Sequence, residues 1–325
     1  MDVLSEVLAV MRTGQARSAL VGWPTPWAQE FAPVPGSAGF HVVLRGSCVL
    51  LRAGSEPVNL GEGDIVFRPH GDGHTLADSP DTRPITPACA PGTPAEPVRT
   101  AITGATVTLC GAYELAPELV HPLIHDLPDL IHVPAGADPR LATVVGHLAS
   151  ELTEPGAGSD ALIPALLDTM LVHLLRICLS AGGDRPAGWA AALADPVTAA
   201  ALHAMHREPG RDWTVAALAA EGGLSRAPFA RRFTARLGRP PLTYLTWWRM
   251  TVAAGLLRRT DLTAGAVAGR VGYRSEFAFA TAFKRRFGMP PGRYRRRPGG
   301  ADQETRPGGA DQKTRPGGAD QEIDW

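Results

Sequence analysis

One stretch of this chain is written twice. LSRAPFARRFTARLGRPP runs from Leu224 to Pro241, and YRSEFAFATAFKRRFGMPP runs from Tyr273 to Pro291. At an offset of 50, Phe229, Phe233, Leu237, Gly238, Pro240, Pro241 and Tyr244 fall on Phe279, Phe283, Phe287, Gly288, Pro290, Pro291 and Tyr294. Upstream the offset is 49, because Arg274 is one extra residue: Leu218, Ala219 and Gly223 meet Val267, Ala268 and Gly272. A repeat of fixed period is one supersecondary unit used more than once, which restricts this part of the chain to a paired architecture.

Each copy has the grammar of two short helices around a tight turn. In the first, Thr214 caps a helix with an apolar stripe at Val215, Leu218 and Ala219, and Gly222 and Gly223 stop it. Ser225 caps the next helix, whose first turn tolerates Pro228 and whose Phe229, Phe233 and Leu237 share one face. Gly238 and two prolines end it. The second copy repeats the scheme with Thr263, Val267, Gly272, Ser275 and Phe279, Phe283 and Phe287. Helix, glycine turn and helix with a basic outer face is the helix-turn-helix pattern. The phenylalanine stripes themselves are core.

Charge separates a nucleic-acid reader from an inert helical scaffold. From Arg211 to Arg297 there are 18 Lys/Arg against 4 Asp/Glu, whereas residues 1–210 hold 11 against 22. A chain of zero formal net charge therefore contains a strongly basic module, the electrostatic footprint of phosphate binding.

WTVAALAAEGGLSRAPFARRF, PLTYLTWWRM and VAGRVGYRSEFAFATAFKRRFGMPPGRYR together resemble the AraC/XylS family of bacterial transcription regulators, from about Trp213 to Arg296. The resemblance implies two helix-turn-helix units joined by a long helix at about Pro241–Arg259, with their recognition helices in adjacent major-groove segments ~34 Å apart. It places base contacts at Ala227, Ala230 and Arg231 in the first recognition helix and at Phe277 and Thr281 in the second. These are the outward positions when the phenylalanines face inward at 100° per residue. Ser225, Arg226, Arg232, Arg236, Ser275, Lys284, Arg285 and Arg286 are expected on phosphates, which position the protein without specifying sequence. Double-stranded operator DNA is the expected partner, with a homodimer and RNA polymerase as further partners.

The N-terminal part reads as short β runs, FHVVLRG, SCVLLRA, DIVFRPH and ATVTLCGAYEL, separated by Gly, Pro and Asp turns. That pattern predicts a small barrel or sandwich. GDIVFRPHGDGH, from Gly63 to His74, resembles the second motif of the cupin β-barrels, and about residues 10–130 are similar to cupin-type sensor domains. The expected fold is thus α+β in two domains, a cupin-like β-barrel with helices followed by an all-α domain. The resemblance offers His41, His70 and His74 as ligands for a divalent metal, although Val43 stands where a second first-motif histidine belongs. The bland alternative makes His74 a turn-closing hydrogen bonder and His41 a strand residue. Cys89 and Cys110 are candidates for oxidant sensing, and a small organic ligand in the barrel is a third effector class. A metal-dependent cupin enzyme with an appended DNA-binding domain is the alternative function, which stoichiometric iron or zinc would favour. No serine–histidine–acid arrangement accompanies the histidines.

Domains are expected at 1–135, 136–194, 195–297 and 298–325. In the second segment Leu167, Leu171, Leu174 and Cys178 run along one helical face; the bland reading packs part of this stripe on the barrel, and the family resemblance makes the region the expected dimer contact. Asp168, His173 and Arg176 make this helix too charged for a bilayer. MDVLSEVLAVMRTG lacks a basic start followed by an apolar run, and the four cysteines form no C-x-x-C pair. A cytoplasmic, nucleoid-associated regulator is the expectation. After Arg296 the units RPGGADQET, RPGGADQKT and RPGGADQEI repeat, with too few apolar residues to build a core.

Overall fold

The computed structural model describes residues 2–11, 16–84, 89, 105–115, 117–181 and 187–296; the nonapeptide tail lies outside them. Helix α1 (Val3–Met11) leads into β1 (Arg17–Trp23), β2 (Ala28–Phe31), β3 (Ser37–Arg45), β4 (Cys48–Leu51), β5 (Val58–Leu60), β6 (Ile65–Arg68), β7 (His74–Ala77) and β8 (Thr106–Glu114). A 3-10 turn at Pro117–Leu119, α2 (Pro122–His125) and β9 (Ile131–Val133) complete the β part. Helices α3 (Pro139–Thr153) and α4 (Ser159–Ala181) follow. The C-terminal domain is all helical: α5 (Trp189–Ala194), α6 (Pro196–Arg207), α7 (Val215–Glu221), α8 (Arg226–Leu237), α9 (Pro241–Arg259), α10 (Ala264–Arg270), α11 (Glu276–Phe287) and α12 (Pro291–Arg295).

The expected cupin-like β part is present as two facing antiparallel sheets, not closed into a barrel, ordered β1-β8-β3-β6-β9 and β2-β7-β4-β5. Alternation along β3 explains why the sheets face each other. Phe40 and Val42 point to the helices with Ile65, Phe67, Leu109 and Tyr113, while Val43 joins Cys48, Leu50, Leu60, Val66 and Leu76 between the sheets. Gly111 is required where β8 crosses Phe40, because a Cβ there would lie 2.4 Å from the phenyl ring.

The helical seam is also corrected. Leu167, Met170, Leu171, Leu174 and Leu175 are at most 3% exposed inside this chain and belong to its main core. The α4 stripe is used for packing against the chain's own sheet and helices, where removing apolar area from water holds α3 and α4 on the β part. By length and composition α4 could cross a membrane, but this buried face is that of a core helix. The outward side of α4 keeps Leu162 at 44% exposure.

Candidate nucleic-acid interface and sensor site

The two helix-turn-helix units are built as the repeat requires. Thr214 and Thr263 cap α7 and α10 by accepting from the Ala217 and Ala266 amides, each at 3.1 Å. Gly223 (φ 69°) and Gly272 (φ 81°) take the left-handed turn before each recognition helix. Ser275 caps α11 through Ala278 N at 3.4 Å, whereas Ser225 holds the cap position of α8 with no side-chain bond. Gly238 and Gly288 end the two helices in the left-handed conformation. Phe229 and Phe233, like Phe279 and Phe283, are completely buried.

Turning those rings inward sets the outward faces. Ala227 and Arg231 are exposed with Ala230 half-buried beside them, and in α11 Phe277 (83% exposed) and Thr281 take the matching places. The Thr281 hydroxyl donates to the Phe277 carbonyl at 3.0 Å, so toward a base it offers acceptor lone pairs. Arg226, Lys284 and Arg285 are exposed, and Arg236 is half-buried.

Two of the expected phosphate ligands are engaged elsewhere. Arg232 pairs through Nε and Nη2 with Asp195, whose side chain is 3% exposed and caps α6 through Thr198 N at 3.0 Å. Burial alone would raise the Asp195 pKa, but the Arg232 and Thr198 donors outweigh it and hold the carboxyl below its usual range. Arg232 therefore ties α8 to α6 instead of standing free for DNA. Arg286 donates to the Glu118 carbonyl at 3.3 Å, a residue of the β domain.

Glu118 opens a contact that sequence reasoning missed. Its carboxylate accepts from Arg258 of α9 and, at 3.3 Å, from the Tyr294 hydroxyl. Burial pushes its pKa up, but these two donors together with backbone bonding hold it down. Leu119 is 1% exposed inside the core of the second unit, among Met250, Val267, Phe279 and Phe283. His121 then reaches the first unit. Its Nδ1 accepts from Leu123 N at 3.1 Å, so Nε2 carries the proton and donates to the Tyr244 hydroxyl at 3.1 Å. That hydroxyl donates onward to His206 Nε2 at 2.5 Å. Trp189, Trp247 and Trp248 enclose the relay. Burial, with His203 adding repulsion, lowers His206 to about 3, and burial with His206, Arg239 and His125 holds His121 well below its ordinary value. The segment from Glu118 to His121, shortly after β8, thus touches both DNA-reading units. The sequence signal was thin: Pro122 marks a helix start after His121, and nothing in spacing predicts partners more than 100 residues away.

In the β domain the expected metal trio does not assemble. His41 and His74 meet between the sheets, Nε2 to Nε2 at 2.6 Å, with Phe31 stacked on His74 at 4.9 Å. His70 lies apart, bonded to Leu127 O at 3.0 Å and 3.9 Å from Asp129. Among the described residues no three His, Cys, Asp or Glu side chains come together as a metal site. Two imidazoles bonded to each other, without a third donor, do not fit zinc or iron. Both are held neutral: burial chiefly lowers His74 to about 4 and His41 well below its ordinary value. Cys110 pairs across the ladder with His41 but is buried, and its thiol is pushed up to about 12, which makes it an unreactive thiol. Cys89 is exposed, beside Phe31.

Comparison with known proteins agrees with this division. A cupin family matches residues 2–180 and a helix-turn-helix domain family matches residues 218–297. A putative AraC-like transcription regulator of Streptomyces lividans is 39% identical over 92% of this chain and 99% of its own length. One from Streptomyces antibioticus is 37% identical over the same shares. The DNA-binding domain of AdpA, solved with a target DNA, is 36% identical over 31% of this chain and 90% of that one, at a TM-score of 0.30. The chain belongs to the AraC-like transcription regulators. It is a DNA-binding regulator with a cupin-type ligand-binding domain, and its relatives carry regulator names, not enzyme names.

Proposed function

We propose that this regulator reads an asymmetric operator and that its β domain controls reading through the segment from Glu118 to His121. The observation that carries this is the double engagement of that segment, Leu119 and Glu118 with the second unit and His121 with the first. It follows β8 in sequence, and β8 lies beside His41 in the sheet. A change in the space between the sheets therefore has a short covalent path to both recognition helices.

Arg231 is the base reader. Its guanidinium matches guanine O6 and N7 bidentately, a contact worth ~1–3 kcal/mol of discrimination, while Phe277 and Thr281 offer a thymine-methyl contact and one weaker hydrogen bond. Binding of the full chain to single-base operator variants tests this. Arg231→Ala should erase preference at one base pair; a loss uniform across the variants would refute the assignment.

A homodimer and contact with RNA polymerase belong to the same proposal, as does a place in the cytoplasm on the nucleoid. Because the Leu171 stripe is core, the dimer contact is assigned to the outward side of α4 at Leu162 and Ala165. Leu162→Asp with Ala165→Asp should give a folded monomer by sedimentation. Leu171→Asp with Leu174→Asp should unfold the chain, since each places a charge in the core.

A further inference from the structure

The guanidinium of Arg68 is buried and unbonded. The residue ends β6 and its side chain is 3% exposed, yet Nε and Nη1 have no hydrogen-bond partner. Nη2 lies 3.8 Å from an Asp72 oxygen, beyond hydrogen-bond length. Asp72 is itself 54% exposed, and Asp129, also within electrostatic reach of Arg68, is 78% exposed. Water screens both carboxylates, so neither compensates a buried cation in full. Arg52 adds a further positive charge nearby. Taking a guanidinium out of water without hydrogen bonds is costly, and an arrangement of this kind is completed by an anion.

The surroundings have the form of a ligand site. Gly39 is the ladder partner of Arg68, so the two share the face between the sheets. A Cβ on Gly39 would meet only the Gly111 carbonyl, at 3.8 Å, so no side chain crowds the strand position opposite Arg68. His41, two residues along the same face, is 4% exposed and its Nδ1 also lacks a partner. A proton on His41 Nδ1 would make it a donor to a ligand oxygen, with His74 Nε2 then donating to His41 Nε2 in place of the 3.4 Å contact between His74 Nδ1 and the Asp72 carbonyl. Phe31, packed 4.7 Å from His41 and 4.9 Å from His74, provides an apolar wall.

We propose that this inter-sheet space binds a small organic monocarboxylate, held by Arg68 and His41 with its apolar part against Phe31. The proposal rests on the sensor role assigned above and names the chemical class of the signal. The guanidinium supplies a planar fork suited to a carboxylate. Both histidines are neutral, so one buried positive charge meets one negative charge. A phosphate dianion would bring a second charge with nothing buried to meet it.

The test is a titration of the full-length protein with acetate, butyrate, hexanoate and benzoate, each beside its neutral amide, and with inorganic phosphate. At least one acid should raise the melting temperature by ~5 °C at a hundredfold excess over its Kd, and the matching amide and phosphate should not. Arg68→Gln should weaken that acid at least tenfold by calorimetry. Without ligand this variant should melt no lower than the parent chain, because an unbonded buried charge has been removed. A role in holding the fold would instead lower its melting temperature. Arg68→Lys, which keeps the charge and loses the fork, is the second variant should the glutamine chain not fold, and it should weaken binding at least fivefold. Equal binding of acid and amide, phosphate binding as tight as any acid, parent affinity in either variant, or no shift with any acid would each overturn the proposal. DNA binding by the unliganded chain is measured separately; its failure would strike the regulator reading and leave the carboxylate result to stand or fall alone.

Discussion

Phe229 and Phe233 occupy the same places in the first helix-turn-helix unit as Phe279 and Phe283 in the second, and all four are fully buried. The surroundings of the two units differ. At the offset of 50, Arg232 corresponds to Ala282, and Arg232 holds Asp195 where Ala282 packs on the core of the second unit. Tyr244 corresponds to Tyr294: the first is bonded between two buried histidines, the second to the half-buried Glu118. A repeated sequence therefore reproduces the inner core, while partners from elsewhere in the chain decide how each copy is anchored. The first copy is fastened by buried polar contacts, and the second by an apolar plug, Leu119, with charged groups around it.

The largest effect expected from this difference belongs to Asp195→Ala. It removes a helix cap and a charge-assisted pair together and should cost ~3 kcal/mol in urea unfolding. Among the described residues the second unit has no equivalent bond to lose. A cost under ~1 kcal/mol would mean that Arg232 and Thr198 find replacement partners and that the first unit is not specially anchored.

Next in size is the tyrosine pair. Tyr244→Phe strips a partner from both His121 and His206 and should destabilise the chain by ~2 kcal/mol. Tyr294→Phe removes one 3.3 Å bond from a carboxylate that keeps Arg258, and should cost less than ~1 kcal/mol. Equal costs would erase the distinction between the copies.

Much of this was legible in the sequence, and the remainder was hidden for physical reasons. The repeat predicted the two units, and the long helix between them at about Pro241–Arg259 is found as α9. Local signals such as Thr214, Gly238 and the phenylalanine spacing act within a turn or two, so they survive in any tertiary context. β5 and β9 were missed because they have three residues each, and β1, β2 and β7 because they lack strong alternation of apolar and polar residues. The α4 stripe was correctly seen as apolar but assigned to another subunit. A hydrophobic face shows that something covers it, not what. Glu118, Leu119 and His121 were invisible because their partners come from helices more than 80 residues away, and neither Arg68 nor its lack of a partner announces itself in a strand of four residues.

Between pH 6.5 and 5, where histidines titrate but carboxylates such as Glu118 stay charged, acid should act on the first unit and the β domain and spare the second, since no histidine follows His206 in the chain. His206 is lowered from 6.5 to about 3, so the folded state refuses a proton that the unfolded state accepts. Its share of stability is complete above pH ~6.5 and is lost as pH falls from there toward 3, by about 1.4 kcal/mol per pH unit. His206→Gln should flatten the stability profile between pH 6.5 and 5 by roughly that slope. An unchanged slope would mean that His206 already titrates normally and that the relay to Tyr244 is open to water.

The smallest effect separates reading from holding. Beyond the base-facing positions, Thr234, Ala235 and Arg236 of the first recognition helix correspond to Lys284, Arg285 and Arg286 of the second. On the proposed reading, the first helix brings Arg231 to the bases with little charge behind it. The second brings Phe277 and Thr281 but a denser basic end, of which Lys284 and Arg285 stand exposed while Arg286 reaches Glu118. On this division the second unit is mainly a phosphate grip. Arg285→Ala should weaken every operator variant alike, by about 1 kcal/mol, and reduce the slope of log affinity against log salt by about 0.9. Ala235→Arg should do the reverse, strengthening all sequences and steepening the slope without new base preference. If Arg285→Ala instead changes the preference at a particular base pair, the second helix reads sequence too, and the two copies share the work more evenly than their side chains suggest.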